Sequence, residues 1–268
     1  MNHQEIKRYV KQDEATSYYT SLKRKAGVIL TWLILKTYPS ISANFITLTM
    51  LPLNVLSAGV MYYAIVTSQP IFLLAAFIIS FVTLALDSVD GNIARIKKTR
   101  SIRGVYFDRL VHNISHPMFF IVMGFALYSN TNHIGYLIVM LVVGILSELS
   151  PLDVSQKDVE ALFIRQILFE RTVNYDFMKH QESQMHVREQ QKAPSMLRKI
   201  IKTILMNDVY YLVILFDLVF LEHQFYFTIM FSLIDLVAMI YVRANISMWE
   251  IRLNEVLKEL YRQQSKKR

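Results

Sequence analysis

Three long stretches of this 268-residue chain contain no lysine or arginine: residues 37–94, 110–156 and 203–242. The shortest still holds 40 residues, in a chain with 29 Lys and Arg in all. A bilayer core takes about 20 residues of helix to cross, so each gap suits two crossings joined by a short turn. Turn-forming residues stand near the middle of each: Thr67-Ser68-Gln69-Pro70, Ser129-Asn130-Thr131-Asn132-His133 and Glu222-His223-Gln224. The pattern predicts an all-α integral membrane protein with six transmembrane helices near 45–66, 71–94, 105–128, 134–152, 204–221 and 225–243.

Composition agrees with a lipid environment. Hydrophobic residues make up 53% of the chain and charged ones 19%, too few polar groups to cover a water-facing surface and too many apolar ones for a disordered chain. The net charge of +8 is explained by placement. The basic residues fall at one set of hairpin ends, which the positive-inside rule makes cytoplasmic. Both termini are then cytoplasmic, and the expected location is a bacterial inner (plasma) membrane. A nucleic-acid partner would need a compact basic patch with interleaved aromatics, and none is present. The absence of cysteine excludes disulfides, thiolate metal sites and a cysteine nucleophile.

The remaining segments divide the chain. Residues 1–43 read as a cytoplasmic N-terminus with an N-terminal interfacial amphipathic helix over 16–38. Its apolar run is too short to span, with Trp32 and Tyr38 at headgroup depth and its lysines facing lipid phosphates. Residues 44–152 carry helices 1–4, 153–203 a polar cytoplasmic insertion, 204–246 helices 5–6, and 247–268 a cytoplasmic C-terminal helix with a basic end.

Ionisable side chains within membrane spans are costly and therefore point to function. Asp87, Asp90 and Arg95 end the second span, while Asp108, Arg109, His112 and His116 start the third. Asp87 and Asp90 are three apart on one helix; Asp108, His112 and His116 follow at intervals of four on the next. Facing stripes would bring three carboxylates and an imidazole together, and carboxylates so placed need countercharge. A divalent cation supplies it, and oxygen ligands favour Mg²⁺, Mn²⁺ or Ca²⁺. Gly91 and Gly104 leave room for close approach, and the basic link containing Lys97, Lys98, Arg100 and Arg103 suits phosphate. These residues point to a metal-dependent site for a phosphorylated molecule at the membrane surface. The alternatives are carboxylates paired with Arg95 and Arg109 as solvated end charges, and a small transporter using the same cluster. Further acids fall in later spans: Glu148 and Asp208 near the cytoplasmic ends, and Asp217 and Asp235, which suit pairing with polar groups between helices or at a dimer contact.

The stretch Asp87-Ser-Val-Asp90-Gly91-Asn-Ile-Ala94-Arg95, followed at fixed intervals by Gly104, Asp108 and position 112, resembles the signature of the CDP-alcohol phosphotransferases (CDP-alcohol phosphatidyltransferases). Asn44-Phe-Ile-Thr47 is similar to the family's entrance motif, with Ala43 where proline is usual. The resemblance implies transfer of a substituted phosphate from a CDP-linked donor, CDP-diacylglycerol above all, to an alcohol acceptor, with release of CMP, in phospholipid or related phosphodiester synthesis. It implies divalent metal, Mg²⁺ or Mn²⁺ and two ions, on Asp87, Asp90 and Asp108. Substrate would be held at Gly91, Ala94, Arg95 and Gly104. Membrane lipid is an expected partner and a homodimer the expected assembly.

His112 departs from the pattern, which has a fourth aspartate there, a ligand to a second metal and the base that takes the proton of the attacking alcohol. A neutral imidazole can act as that base, making His112 the expected catalytic residue. The alternatives are an active enzyme with a shifted metal preference or another base, and an inactive homologue serving as membrane scaffold or regulator.

Overall fold

The computed structural model describes residues 6, 18–99, 102–149, 196, 203, 208–221, 224–238 and 240–241. Among them there is no strand. Helix α1 (Tyr18–Thr37) is followed by α2 (Ala43–Val66), α3 (Pro70–Ile96), α4 (Ile102–Thr131), α5 (Ile134–Leu149) and α6 (Val209–Phe220), and then by α7 (Tyr226–Ala238). The segment 153–203, apart from two isolated positions, and the C-terminal segment 247–268 lie outside the described residues.

Helix α2, helix α3 and the Phe107–Thr131 part of α4 are long and apolar enough to cross a membrane; the apolar stretches of α5, α6 and α7 are shorter. The first two hairpin turns fall where the sequence places them, while residues 222 and 223 of the third lie outside the described residues. Ser68 and Asn132 adopt positive φ values of 54° and 60°, which ends one helix and redirects the chain to the next. Ser42 caps α2, its Oγ accepting from the Phe45 N–H at 3.2 Å, and Pro70 opens α3 at a position where no amide proton is required.

The outward faces are apolar: Leu48, Val55, Leu56, Ile71, Ile78 and Ile138 are each more than half exposed. Such a surface suits hydrocarbon and would be costly in water. Inside, α2 packs on α3 and α4, α4 on α5, α1 on α3, and α6 on α3. Small residues set the closest approaches. A Cβ on Gly124 would lie 2.8 Å from the Met140 Cβ, and one on Gly27 would lie 2.6 Å from the Ser88 Cβ. Glycine therefore lets α5 seat on α4 and α1 seat on α3.

Two apolar clusters hold the bundle. The larger joins Met61, Ala76, Phe120, Met123, Met140 and Tyr210 from α2 through α6. The smaller, made by Ile46, Met50, Leu86, Val89, Ile93 and Val111, lies at the end that carries the acidic motif, with Leu30 and Ile34 of α1 packed against it. Together they fix the last turns of α3 against the first turns of α4.

Candidate active site at the α3–α4 end

The structure brings Asp87 of α3 together with Asp108 and His112 of α4. One ligand atom from each lies within 4.8 Å of the others, so the three side chains can hold a metal ion. His112 Nε2 is 3.1 Å from Asp87 Oδ1 and 3.5 Å from Asp108 Oδ1. Asp108 Oδ1 is buried yet accepts no hydrogen bond. A buried carboxylate oxygen without a donor is costly, and a cation removes that cost. Two carboxylates and an imidazole, with one oxygen unsatisfied, form a donor set that fits a divalent ion.

Asp90 is not part of this group. It is 8% exposed, and its Oδ2 accepts from the Thr47 hydroxyl of α2 at 2.7 Å. Three residues of helix rotate a side chain by about 300°, so Asp90 points about 60° away from Asp87, toward α2. The two stretches that carry the resemblance, around Thr47 and around Asp87, thus meet through this hydrogen bond.

The expected substrate-binding residues also have defined places. Arg95 folds back over Gly91: a Cβ there would meet the guanidinium nitrogens at 3.3 and 3.4 Å. The Arg95 Nη2 donates to Asn92 Oδ1 at 2.6 Å. Ala94 and Gly104 are half-buried on α3 and α4. Lys97, expected to suit phosphate, instead donates from Nζ to the carbonyls of Pro39 at 2.6 Å and Ile41 at 2.5 Å, tying the α1–α2 turn to the end of α3. Arg100 and the side chain of Arg103 lie outside the described residues. His116 is exposed, its ring centroid 5.5 Å from that of His112.

Helix α1 supplies what the sequence reading missed. Lys23 forms an ion pair with Asp87 Oδ2, so the lysine expected to face lipid phosphate is turned into the site. One turn on, Gly27 sits against Ser88; a further turn on, Thr31 accepts from Asn92 Nδ2 at 3.1 Å. One turn earlier, the Tyr19 hydroxyl donates to Asp208, which also accepts from Ser80 at 2.6 Å. Burial first, and then the Asp208 carboxylate, push the Tyr19 hydroxyl well above its ordinary pKa, so it stays protonated and donates. The signal was present as residues 19, 23, 27 and 31 at intervals of four, a single helical stripe of polar and small residues.

The acids of the later helices have local partners. Asp217 of α6 accepts from the Phe227 N–H at 3.2 Å, the Thr228 N–H at 2.7 Å and the Thr228 hydroxyl at 2.6 Å, capping the start of α7 from a neighbouring helix. Asp235 accepts from the Tyr210 hydroxyl at 3.0 Å. The Glu148 side chain lies outside the described residues.

Comparison with curated proteins gives no match. The family model for CDP-alcohol phosphatidyltransferase matches residues 40–249, which include every motif residue of α3 and α4. With 210 of 268 residues covered, the chain belongs to the CDP-alcohol phosphatidyltransferase family.

Proposed function

We propose that this chain is a metal-dependent membrane transferase that moves a substituted phosphate from a CDP-linked donor to an alcohol and releases CMP. The observation that carries the proposal is the meeting of Asp87, Asp108 and His112 within 4.8 Å at the motif end of a family member. CDP-diacylglycerol is the proposed donor: a site at the boundary of apolar helices suits one lipidic and one water-soluble substrate. On this reading all six helices from α2 to α7 cross the bilayer, with the motif end and both termini on the cytoplasmic side. The homodimer and the division into membrane and cytoplasmic segments belong to the same proposal.

Asp87 and Asp108 would hold a divalent ion, Mg²⁺ or Mn²⁺, with Asp90 adding its negative charge from the side that faces α2. Bound there, the ion would neutralise the diphosphate of the donor and the charge that develops on departing CMP. The protein's own groups do the rest. Thr47 holds Asp90 through the 2.7 Å hydrogen bond. Asp87 Oδ1, 3.1 Å from His112 Nε2, favours the tautomer with the proton on Nε2, leaving Nδ1 free to accept. His112 Nδ1 then takes the proton of the acceptor hydroxyl as its oxygen attacks the phosphorus that bears the donor's alcohol. A new P–O bond forms, the bond to the bridging oxygen breaks, and CMP leaves with that oxygen. Arg95, placed by Asn92 over Gly91, is suited to the phosphates of the nucleotide.

Purified protein incubated with CDP-diacylglycerol and a panel of alcohols tests this. CMP should appear with Mg²⁺ or Mn²⁺, stop on chelation and return on readdition. No CMP from any CDP-linked donor with either metal would refute the reading.

A further inference from the structure

Lys23 reaches the carboxylate cluster from a helix that lies before the family match, since α1 spans Tyr18–Thr37 and the match begins at residue 40. The Lys23 side chain is only 17% exposed, and its ammonium pairs with Asp87 Oδ2, the oxygen that His112 does not use. Its position is set by three neighbours on the same stripe of α1. Tyr19 is bound to Asp208, Gly27 is pressed against Ser88, and Thr31 holds Asn92. A lysine on a freely exposed helix can swing away; this one is carried into the site by a helix that cannot rotate without breaking those contacts.

From this geometry, and resting on the metal-dependent reading above, we propose that Lys23 serves as the second cation of the site, so that the site takes one divalent ion. The charges fit. His112 stands where a fourth carboxylate would be expected, leaving three carboxylates: Asp87, Asp90 and Asp108. One ammonium offsets one of them, and a single divalent ion offsets the other two. A second divalent ion would sit beside a largely shielded ammonium with too few anions to balance it, a repulsive arrangement where charges are more weakly screened than in water. The two departures, a histidine gained on α4 and a lysine supplied by α1, are therefore one exchange: a carboxylate and its metal ion are replaced by an imidazole and an ammonium. The unsatisfied Asp108 Oδ1 marks the side where the remaining ion binds.

Lys23 is on this account a residue of the active site, and its test counts metal as well as turnover. Mn²⁺ bound per chain is measured by electron paramagnetic resonance on purified full-length protein in lipid nanodiscs, with CMP release followed in parallel. The wild type should saturate at one Mn²⁺ per chain. His112→Asp, which restores the carboxylate but keeps Lys23, should still bind one. Lys23→Met combined with His112→Asp should bind two. Two Mn²⁺ on the wild type or on His112→Asp would overturn the proposal, as would a folded double variant that stays at one. Should the double variant fail to fold, the first two counts decide. The counts also separate this proposal from the function it rests on: two Mn²⁺ with normal CMP release overturns the role of Lys23 alone, whereas one Mn²⁺ without CMP from any donor overturns the transferase.

Discussion

Asp87 and Asp217 are both carboxylates set into apolar helices, and they are treated in opposite ways. Asp217 accepts from two backbone amides and a hydroxyl, all from residues 227 and 228. Every donor is neutral and fixed, and the carboxylate in return caps α7. Asp87 is met instead by two ionisable side chains: a lysine from α1 takes one oxygen and a histidine from α4 the other, while Asp108 beside it keeps an oxygen without a hydrogen bond. The first is a closed arrangement that holds two helices. The second gathers charge from three helices and keeps one carboxylate oxygen without a hydrogen bond.

Substitution at the two carboxylates should separate the roles. Asp87→Asn is expected to have the largest effect on turnover, lowering CMP release by about 10³-fold, because it loosens Lys23, His112 and the metal together; its thermal midpoint should stay near that of the wild type. His112→Ala should lower turnover by about 10²-fold with CDP affinity unchanged, read by titration of the nucleotide. A near-normal rate would remove His112 as the base. Asp217→Ala should do the reverse of Asp87→Asn. Stranding the donors at 227 and 228 should cost about 1–3 kcal/mol of stability, seen in unfolding, while CMP release per folded molecule remains within about twofold. An Asp217 variant that folds normally but does not turn over would break the comparison. Thr47→Val, which removes one hydrogen bond to Asp90, should be the mildest. A bond of about 1 kcal/mol corresponds to roughly a fivefold loss, in metal affinity more than in saturated rate.

Much of this was legible before any coordinates. The gaps without lysine or arginine located the helices to within a few residues, because burial of charge in hydrocarbon is costly wherever it occurs along the chain. Among the described residues, α2, α3 and α4 are long and apolar enough to span, and the apolar parts of α5, α6 and α7 are shorter. The meeting of Asp87, Asp108 and His112 also followed from spacing, since a short link joins the two helix ends and intervals of four keep Asp108 and His112 on one face.

Two features were out of reach. The turn of Asp90 toward Thr47 depends on which neighbour lies on which side of α3, and periodicity assigns a face without naming its partner. Lys23 is 64 residues from Asp87. An amphipathic helix with lysines reads as lying on lipid, and it takes the contacts of Tyr19 with Asp208, Gly27 with Ser88 and Thr31 with Asn92 to turn that stripe inward.

The central claim, that this carboxylate cluster performs phosphotransfer, is tested most directly by CMP release from a CDP-linked donor by the wild type and Asp108→Asn, side by side with Mn²⁺ present. Asp108 bears the one oxygen of the cluster without a hydrogen bond. CMP is expected from the wild type, with a loss of about 10²-fold or more in the variant and both proteins folded alike. Turnover that survives Asp108→Asn undiminished would contradict that claim.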